Sequence, residues 1–284
     1  MELAELSAVS FRYQGSADYA LRDITFTLKE GEYVLLTGPS GCGKSTLCRI
    51  LNGLIPHFYR GELRGEARVA GYDVRSTPTY VLARHVGMVF QNPENQLFLS
   101  SVERELAFGL ENLGVSESEI ERRVKWALEF FNLVELKDRP PYMLSGGQQQ
   151  KVAIASVVVM EPEILVLDEP TANLDPVSAE EILSLLDTLR KEKNIGILLV
   201  EHRLEIALKC ADKLVIMQDG RIVEEGDPRS VLLSKHTSII GVPPVVEAHK
   251  VLSGKGIDLG AIPLTPHELA SAIERVMRRE RGSG

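Results

Sequence analysis

The sequence predicts an α/β fold built on a mostly parallel sheet covered on both faces. Three observations point there. Short apolar runs, EYVLLT (32–37), ILVL (164–167), IGILLV (195–200) and KLVIM (213–217), alternate with stretches of helical periodicity. Strands buried on both faces read as such continuous runs. A glycine-rich loop, residues 38–45, joins the first run to a helix. Composition agrees: 44% apolar and 25% charged residues over 284 suit one large globular domain with at most a small appendage.

The elements follow in order. Residues 3–12 and 22–28 carry the loose alternation of strands, and strand-like pieces return near 63–70 and at 86–90 (VGMVF). From Lys44 the pattern turns helical, with Leu47, Ile50, Leu51 and Leu54. About 101–160 is mostly helical: apolar residues fall at 102, 106, 110 and 113, then at 120, 124, 128 and 131, and a further helix runs from Gln149 to Met160. Helices at 177–190 and 203–210 separate the last apolar runs. After about 235 the chain is rich in Gly and Pro. Thr265-Pro266-His267-Glu268 then forms a capping box. The helix it opens places Leu269, Ile273, Val276 and Met277 on one face and carries Arg275, Arg278, Arg279 and Arg281.

Forty acids against 32 bases give a net charge of −8. No broad positive field is available for a phosphate backbone, so no nucleic-acid partner is expected. No apolar run approaches the ~18 residues of a membrane span, and the N-terminus lacks the basic start and apolar core of a secretory leader. Cys42, Cys48 and Cys210 form no CxxC pair, which favours a reducing cytosol over a disulfide scaffold.

Gly38-Pro39-Ser40-Gly41-Cys42-Gly43-Lys44-Ser45 fits the phosphate-loop pattern G-x-x-x-x-G-K-[ST]. Its glycines let backbone N–H groups curl around a β-phosphate, and the helix start aims its positive dipole end at the same anion. Lys44 would reach the β- and γ-phosphates, the Ser45 hydroxyl would ligate Mg²⁺, and Thr46 joins the nucleotide-binding set. At such a helix start the Cys42 thiol is expected to have a lowered pKa.

Leu144-Ser145-Gly146-Gly147-Gln148 stands before a helix, and Ile164-Leu165-Val166-Leu167-Asp168-Glu169 is an apolar strand ending in two acids. With the phosphate loop, these motifs resemble the ATPase subunit of an ATP-binding-cassette (ABC) transporter over about residues 1–230. The resemblance implies an ABC-type core with an antiparallel β subdomain and a helical subdomain (about 92–160) inside an ATPase domain of 1–234. Residues 235–284 would form a small C-terminal extension, a dimerisation or accessory unit, with packing of its last helix on its own domain left open.

It also implies roles for individual residues. Tyr13 would stack on adenine, Gln91 would touch Mg²⁺, and Asp168 would bind the metal. Glu169 would orient the attacking water, with Lys44 and His202 as further catalytic groups at the phosphates. Ser145, Gly146, Gly147 and Gln148 would cradle the γ-phosphate held by a second subunit. Asp175, in Asn173-Leu174-Asp175, would lie at that dimer interface. ATP and Mg²⁺ are the implied cofactors.

Gln91-Asn92-Pro93-Glu94-Asn95-Gln96-Leu97-Phe98 and Glu201-His202-Arg203 are similar to the energy-coupling-factor (ECF) type, which serves vitamin and cobalt or nickel uptake. The partners this implies are a second ATPase subunit, identical or paralogous, an ECF transmembrane protein and a substrate-binding membrane subunit, at the cytoplasmic face of the membrane. A conventional ABC importer or exporter remains open. So does a soluble non-transport ABC ATPase.

Overall fold

Residues 1–282 are described in the computed structural model of this chain, with side chains through residue 278. The chain opens as an antiparallel sheet of order β2-β1-β4-β5, formed by β1 (Glu2–Tyr13), β2 (Leu21–Lys29), β4 (Gly61–Val69) and the short β5 (Tyr72–Asp73). Between β2 and β4 the chain enters a second sheet as β3 (Tyr33–Thr37). It then forms α1 (Lys44–Leu51) and the single turn α2 (Leu54–His57). After another single turn, α3 (Thr79–Leu82), the strand β6 (Val86–Val89) follows.

A helical block comes next: α4 (Val102–Asn112), α5 (Glu117–Phe130) and α6 (Gly146–Val158). The chain then alternates through β7 (Ile164–Asp168), α7 (Pro176–Lys193), β8 (Gly196–Val200), α8 (Leu204–Ala207) and β9 (Lys213–Gln218). The strand β10 (Arg221–Gly226) folds back antiparallel on β9. The second sheet has the order β10-β9-β3-β8-β7-β6, and the five strands from β9 to β6 are parallel. Four helices end the chain: α9 (Pro228–Val231), α10 (Thr237–Ile240), α11 (Pro244–Gly254) and α12 (Pro266–Gly282).

The period-2 alternation of a strand explains the layering. Leu35, Leu165, Leu167, Ile197, Leu199, Leu214 and Ile216 face a core shared with α4, α5, α6 and α7. Their neighbours Val34, Leu36, Ile164, Val166, Leu198, Val200 and Val215 face a second core. It is closed by α1 and by the inward residues of the antiparallel sheet, such as Val9, Phe11, Ile24 and Phe26. Both faces of the parallel sheet are therefore dry, as its continuous apolar runs require.

Several elements differ from the sequence expectation. The helix expected at 149–160 begins at Gly146, because Ser145 caps it. The helix expected over 203–210 is one turn, Leu204–Ala207. Strand β10 and helix α11 were not anticipated. Among the described side chains of α12, Ala272 is the buried one and Met277 is exposed. Arg279 and Arg281 have side chains outside the described residues. Thr265 Oγ1 accepts the Glu268 N–H (3.1 Å). The Glu268 carboxylate passes over Thr265 to the Leu264 N–H (3.0 Å) and pairs with Arg229 (3.0 Å), so only half of the capping box forms. Val245, Val246, Ile262 and Leu264 of the tail lie in the same core as α4 to α7.

Candidate functional site

The loop after β3 turns sharply into α1. Gly38 lies at φ 149°, and a Cβ there would meet the Met217 carbonyl oxygen at 2.1 Å. Gly43, at φ 110°, leaves a Cβ 2.6 Å from the Ala20 carbonyl, so neither position admits a side chain. Gly43 is also the N-cap of α1 and supplies no side-chain acceptor, so the leading N–H groups of that helix have no side-chain partner at the cap. That is the anion-binding arrangement of a helix start. Ser40 and Gly41 are exposed at the rim of the loop.

The loop is braced from a hairpin. Asp219 (φ 49°) and Gly220 (φ 78°) form the β9–β10 turn, and the Gly220 N–H donates to the Cys42 carbonyl (3.0 Å). Lys44 is 5% exposed, and its Nζ donates to the carbonyls of Gly38 (2.8 Å) and Pro39 (3.0 Å). Its charge is therefore stored inside the loop. The Cys42 thiol departs from expectation. Burial pushes its pKa up and outweighs the opposing pull of the Lys44 charge.

Tyr13 ends β1 with its hydroxyl 3.0 Å from Thr46 Oγ1, and it accepts a hydrogen bond from Arg49 (3.2 Å). Its ring packs edge-on against Phe11 at 4.8 Å. The aromatic is thus tied to α1, beside an open depression lined by Arg12, Gln14, Ser16 and Arg60.

The acids stand at the end of β7. Burial raises the pKa of Asp168, while a hydrogen bond from Ser45 and the charges of Arg49 and Lys44 work against that rise. A hard divalent cation needs such oxygen donors. The Ser45 hydroxyl and the Asp168 carboxylate fit Mg²⁺, with the Gln91 amide oxygen as a third candidate. Among the described residues, no group of three His, Cys, Asp or Glu side chains forms a metal cluster.

Glu169 sits at φ 52°, a strained conformation for a residue with a side chain. Its Oε2 accepts from Gln91 Nε2 (2.9 Å), and its Oε1 lies 3.1 Å from His202 Nε2. The ends of β6, β7 and β8 thereby bring Gln91, Glu169 and His202 together. Asn92 Oδ1 accepts from Asn173 Nδ2 (3.2 Å), linking the segment after β6 to the segment after β7. Asp175 caps α7 through the N–H groups of Val177 and Ser178, both at 3.0 Å.

Ser145 and Gln148 form a reciprocal capping box. The Gln148 N–H donates to Ser145 Oγ (3.4 Å) and the Ser145 N–H to Gln148 Oε1 (3.0 Å). The S-x-x-Q spacing is the signal that gives the true start of α6. Gly146 borders a cleft shared with Gln91–Asn95, Pro170 and Asn173. The two glycines lie at ordinary helical φ, and a Cβ at Gly147 would meet Ser178 Oγ at 3.2 Å.

Sequence reasoning assigned no task to three features of the site. These are the Asp219-Gly220 brace, which an Asp-Gly pair between strands could have signalled, the Arg49 contact to Tyr13, and the buried Glu201.

A phosphate loop closing a parallel sheet, with two acids on the next strand but one, defines a nucleotide-hydrolysing α/β protein. The family described as ABC transporter matches residues 21–172. A Pyrococcus abyssi protein named as an ABC transporter ATP-binding protein is 44% identical over 281 residues, covering 98% of this chain and all of its own length. A Pyrococcus horikoshii protein of the same general name is 48% identical over 231 residues, 81% of each chain.

Among solved structures, cbiO1 of Clostridium perfringens, part of the ABC transporter complex cbiONQ, superposes with a TM-score of 0.76. It is 33% identical, over 90% of this chain and 97% of that one. The ATP-binding cassette MJ0796, solved as a dimer with ADP and phosphate, has a TM-score of 0.70 at 29% identity, over 80% and 99%.

The chain belongs to the ABC transporter family and is its ATP-binding, ATP-hydrolysing subunit. Its fold is the mixed α/β fold of the ABC cassettes. Among the described residues, no helix is long and apolar enough to cross a membrane.

Proposed function

We propose that this chain is the energy-coupling subunit of an ECF-type importer, driving uptake of a vitamin or a transition-metal ion through separate membrane subunits. The observation that carries this reading is the likeness to cbiO1. It spans nearly that whole chain, which is named as part of a transporter complex. The segment Gln91–Phe98 supports it, since Glu94 and Phe98 are exposed there and Glu94 lines the cleft.

In this reading the phosphate-loop N–H groups and Lys44 hold the phosphates of ATP. Ser45 and Asp168, with Gln91, would hold Mg²⁺, which would supply charge neutralisation at the phosphate oxygens. Glu169 accepts the proton of the attacking water and orients it, and His202 holds Glu169. Catalysis is then mostly positioning and electrostatics. The Ser145 cradle closes on the ATP of a second subunit, identical or paralogous, so two shared sites form in a dimer. Residues 1–234 act as the ATPase domain. The extension 235–284 steadies the dimer, and the subunit works peripherally at the cytoplasmic face of the membrane.

The coupling role falls on Glu94 and Phe98 more than on Asn92 and Gln96. Asn92 is engaged by Asn173, and Gln96 accepts the Phe90 N–H (3.3 Å). Reconstitution with an ECF transmembrane protein and its substrate subunit tests the reading. Assembly, ATP-dependent uptake, and loss of uptake in Glu94→Ala/Phe98→Ala with ATP binding intact are expected. An assembly that forms only with a conventional permease refutes the ECF type.

A further inference from the structure

The residue just past β8 is an acid without access to solvent: Glu201 is 2% exposed. Burying a carboxylate is costly unless its oxygens are filled. Glu201 Oε1 accepts the N–H groups of His202 (2.7 Å) and Arg203 (3.1 Å). Its Oε2 accepts the hydroxyl of Thr171, which is itself fully buried. Its own N–H donates to the Leu36 carbonyl at the end of β3 (3.2 Å).

One residue thus ties three strand ends. β3 feeds the phosphate loop, β7 carries Glu169, and β8 carries His202. The turn containing Thr171 is also the turn in which Glu169 holds its positive φ. It is closed by Glu169 N–H to Val200 O (3.0 Å) and Ala172 N–H to Glu169 O (3.2 Å). Such a backbone persists only where its surroundings over-determine it.

We propose that Glu201, acting with Thr171, is a positioning residue that fixes Glu169 and His202 relative to each other. The proposal rests on the reading of Glu169 and His202 as the groups that handle the attacking water. Glu201 touches no reacting atom. It sets the 3.1 Å approach of His202 to Glu169 from behind, through the backbone on either side.

The full chain carries the test, by phosphate release at varied ATP with nucleotide affinity titrated separately. Glu201→Ala is expected to lower kcat on the order of 10²-fold, the scale of a small misplacement at a reacting centre, with KM and nucleotide affinity retained. Thr171→Val should lower kcat in the same direction.

Glu201→Gln should restore most of the rate. Its amide oxygen can take both N–H groups, while its NH₂ donates to the Thr171 hydroxyl, which reverses its role. In a His202→Ala background, Glu201→Ala should cost less than it does alone, since both act on one contact. Should the alanine variant not fold, the glutamine and valine variants carry the comparison.

Wild-type kcat in Glu201→Ala or Thr171→Val overturns the proposal. So does full additivity with His202→Ala, or a glutamine variant as slow as the alanine. If Glu169→Gln and His202→Ala leave turnover intact, the underlying reading fails instead.

Discussion

Replacing Glu169 by Gln should slow turnover by about 10²- to 10⁴-fold while sparing nucleotide binding. The substitution keeps the shape of the side chain and both of its neighbours, Gln91 at 2.9 Å and His202 at 3.1 Å. The new amide keeps one acceptor oxygen and gains one donor nitrogen, so either Gln91 rotates its amide or His202 changes tautomer, and both contacts survive as neutral hydrogen bonds. Exchanging charged for neutral bonds loses about 1 kcal/mol each, and less here because Glu169 is partly exposed to water. Folding should therefore shift by no more than about 2 kcal/mol.

The chemical step loses more. A positioned base contributes about 10²- to 10⁴-fold, which is about 3–5.5 kcal/mol at 1.36 kcal/mol per tenfold. Phosphate release at saturating ATP and Mg²⁺ measures that loss. A fluorescent-nucleotide titration measures binding, and size exclusion with ATP reports whether a closed dimer accumulates. Near-normal turnover would show that another group activates the water. A collapse of nucleotide affinity would show that Glu169 shapes the pocket instead.

Three further outcomes are expected. Lys44→Ala should weaken nucleotide binding by about tenfold to a hundredfold, the worth of one charged hydrogen bond of about 1.5–3 kcal/mol; unchanged affinity by titration would remove the lysine from the site. Cys42, with its thiol pKa raised by burial, should hold less thiolate at neutral pH than a free cysteine. Its alkylation followed by mass spectrometry should be slow in the native chain and fast after urea, and rapid native labelling would contradict the burial argument. Ending the chain before residue 243 strips Val245, Val246, Ile262 and Leu264 from the core they share with α4 to α7. At about 1.5–3 kcal/mol for each buried aliphatic, thermal melts of the shortened chain should fall markedly, and an unchanged melt would mean the tail serves only a dimer.

The parallel strands were legible because each is buried on both faces, so hydrophobicity alone marks ILVL and IGILLV. The phosphate loop was legible because its glycines and lysine are constrained locally. β10 escaped because RIVEEG is half exposed and charged, although the Asp219-Gly220 turn before it is local and readable. α11 hid between Pro243-Pro244 and Gly254, residues that mark loops in isolation but here bound a helix. The expected fall in the Cys42 pKa weighed the helix start and could not weigh the burial supplied by residues distant in sequence. The same holds for Lys44, whose carbonyl partners depend on the curl of the loop. Nothing local in Glu201-His202-Arg203 says that Thr171, thirty residues earlier, closes over the acid.

The register of β8 has a consequence of its own. Val200 stands opposite both Leu36 and Asp168, and the next two residues are Glu201 and His202. Successive side chains on a strand face opposite ways. One residue added within Gly196–Val200 would swing the imidazole to the side where the buried acid belongs and send the acid toward the phosphates. Exchanging Ile197 or Leu199 for another aliphatic only alters how tightly the core fills. This strand therefore works as a ruler: its tolerance is for changes of kind, not of count.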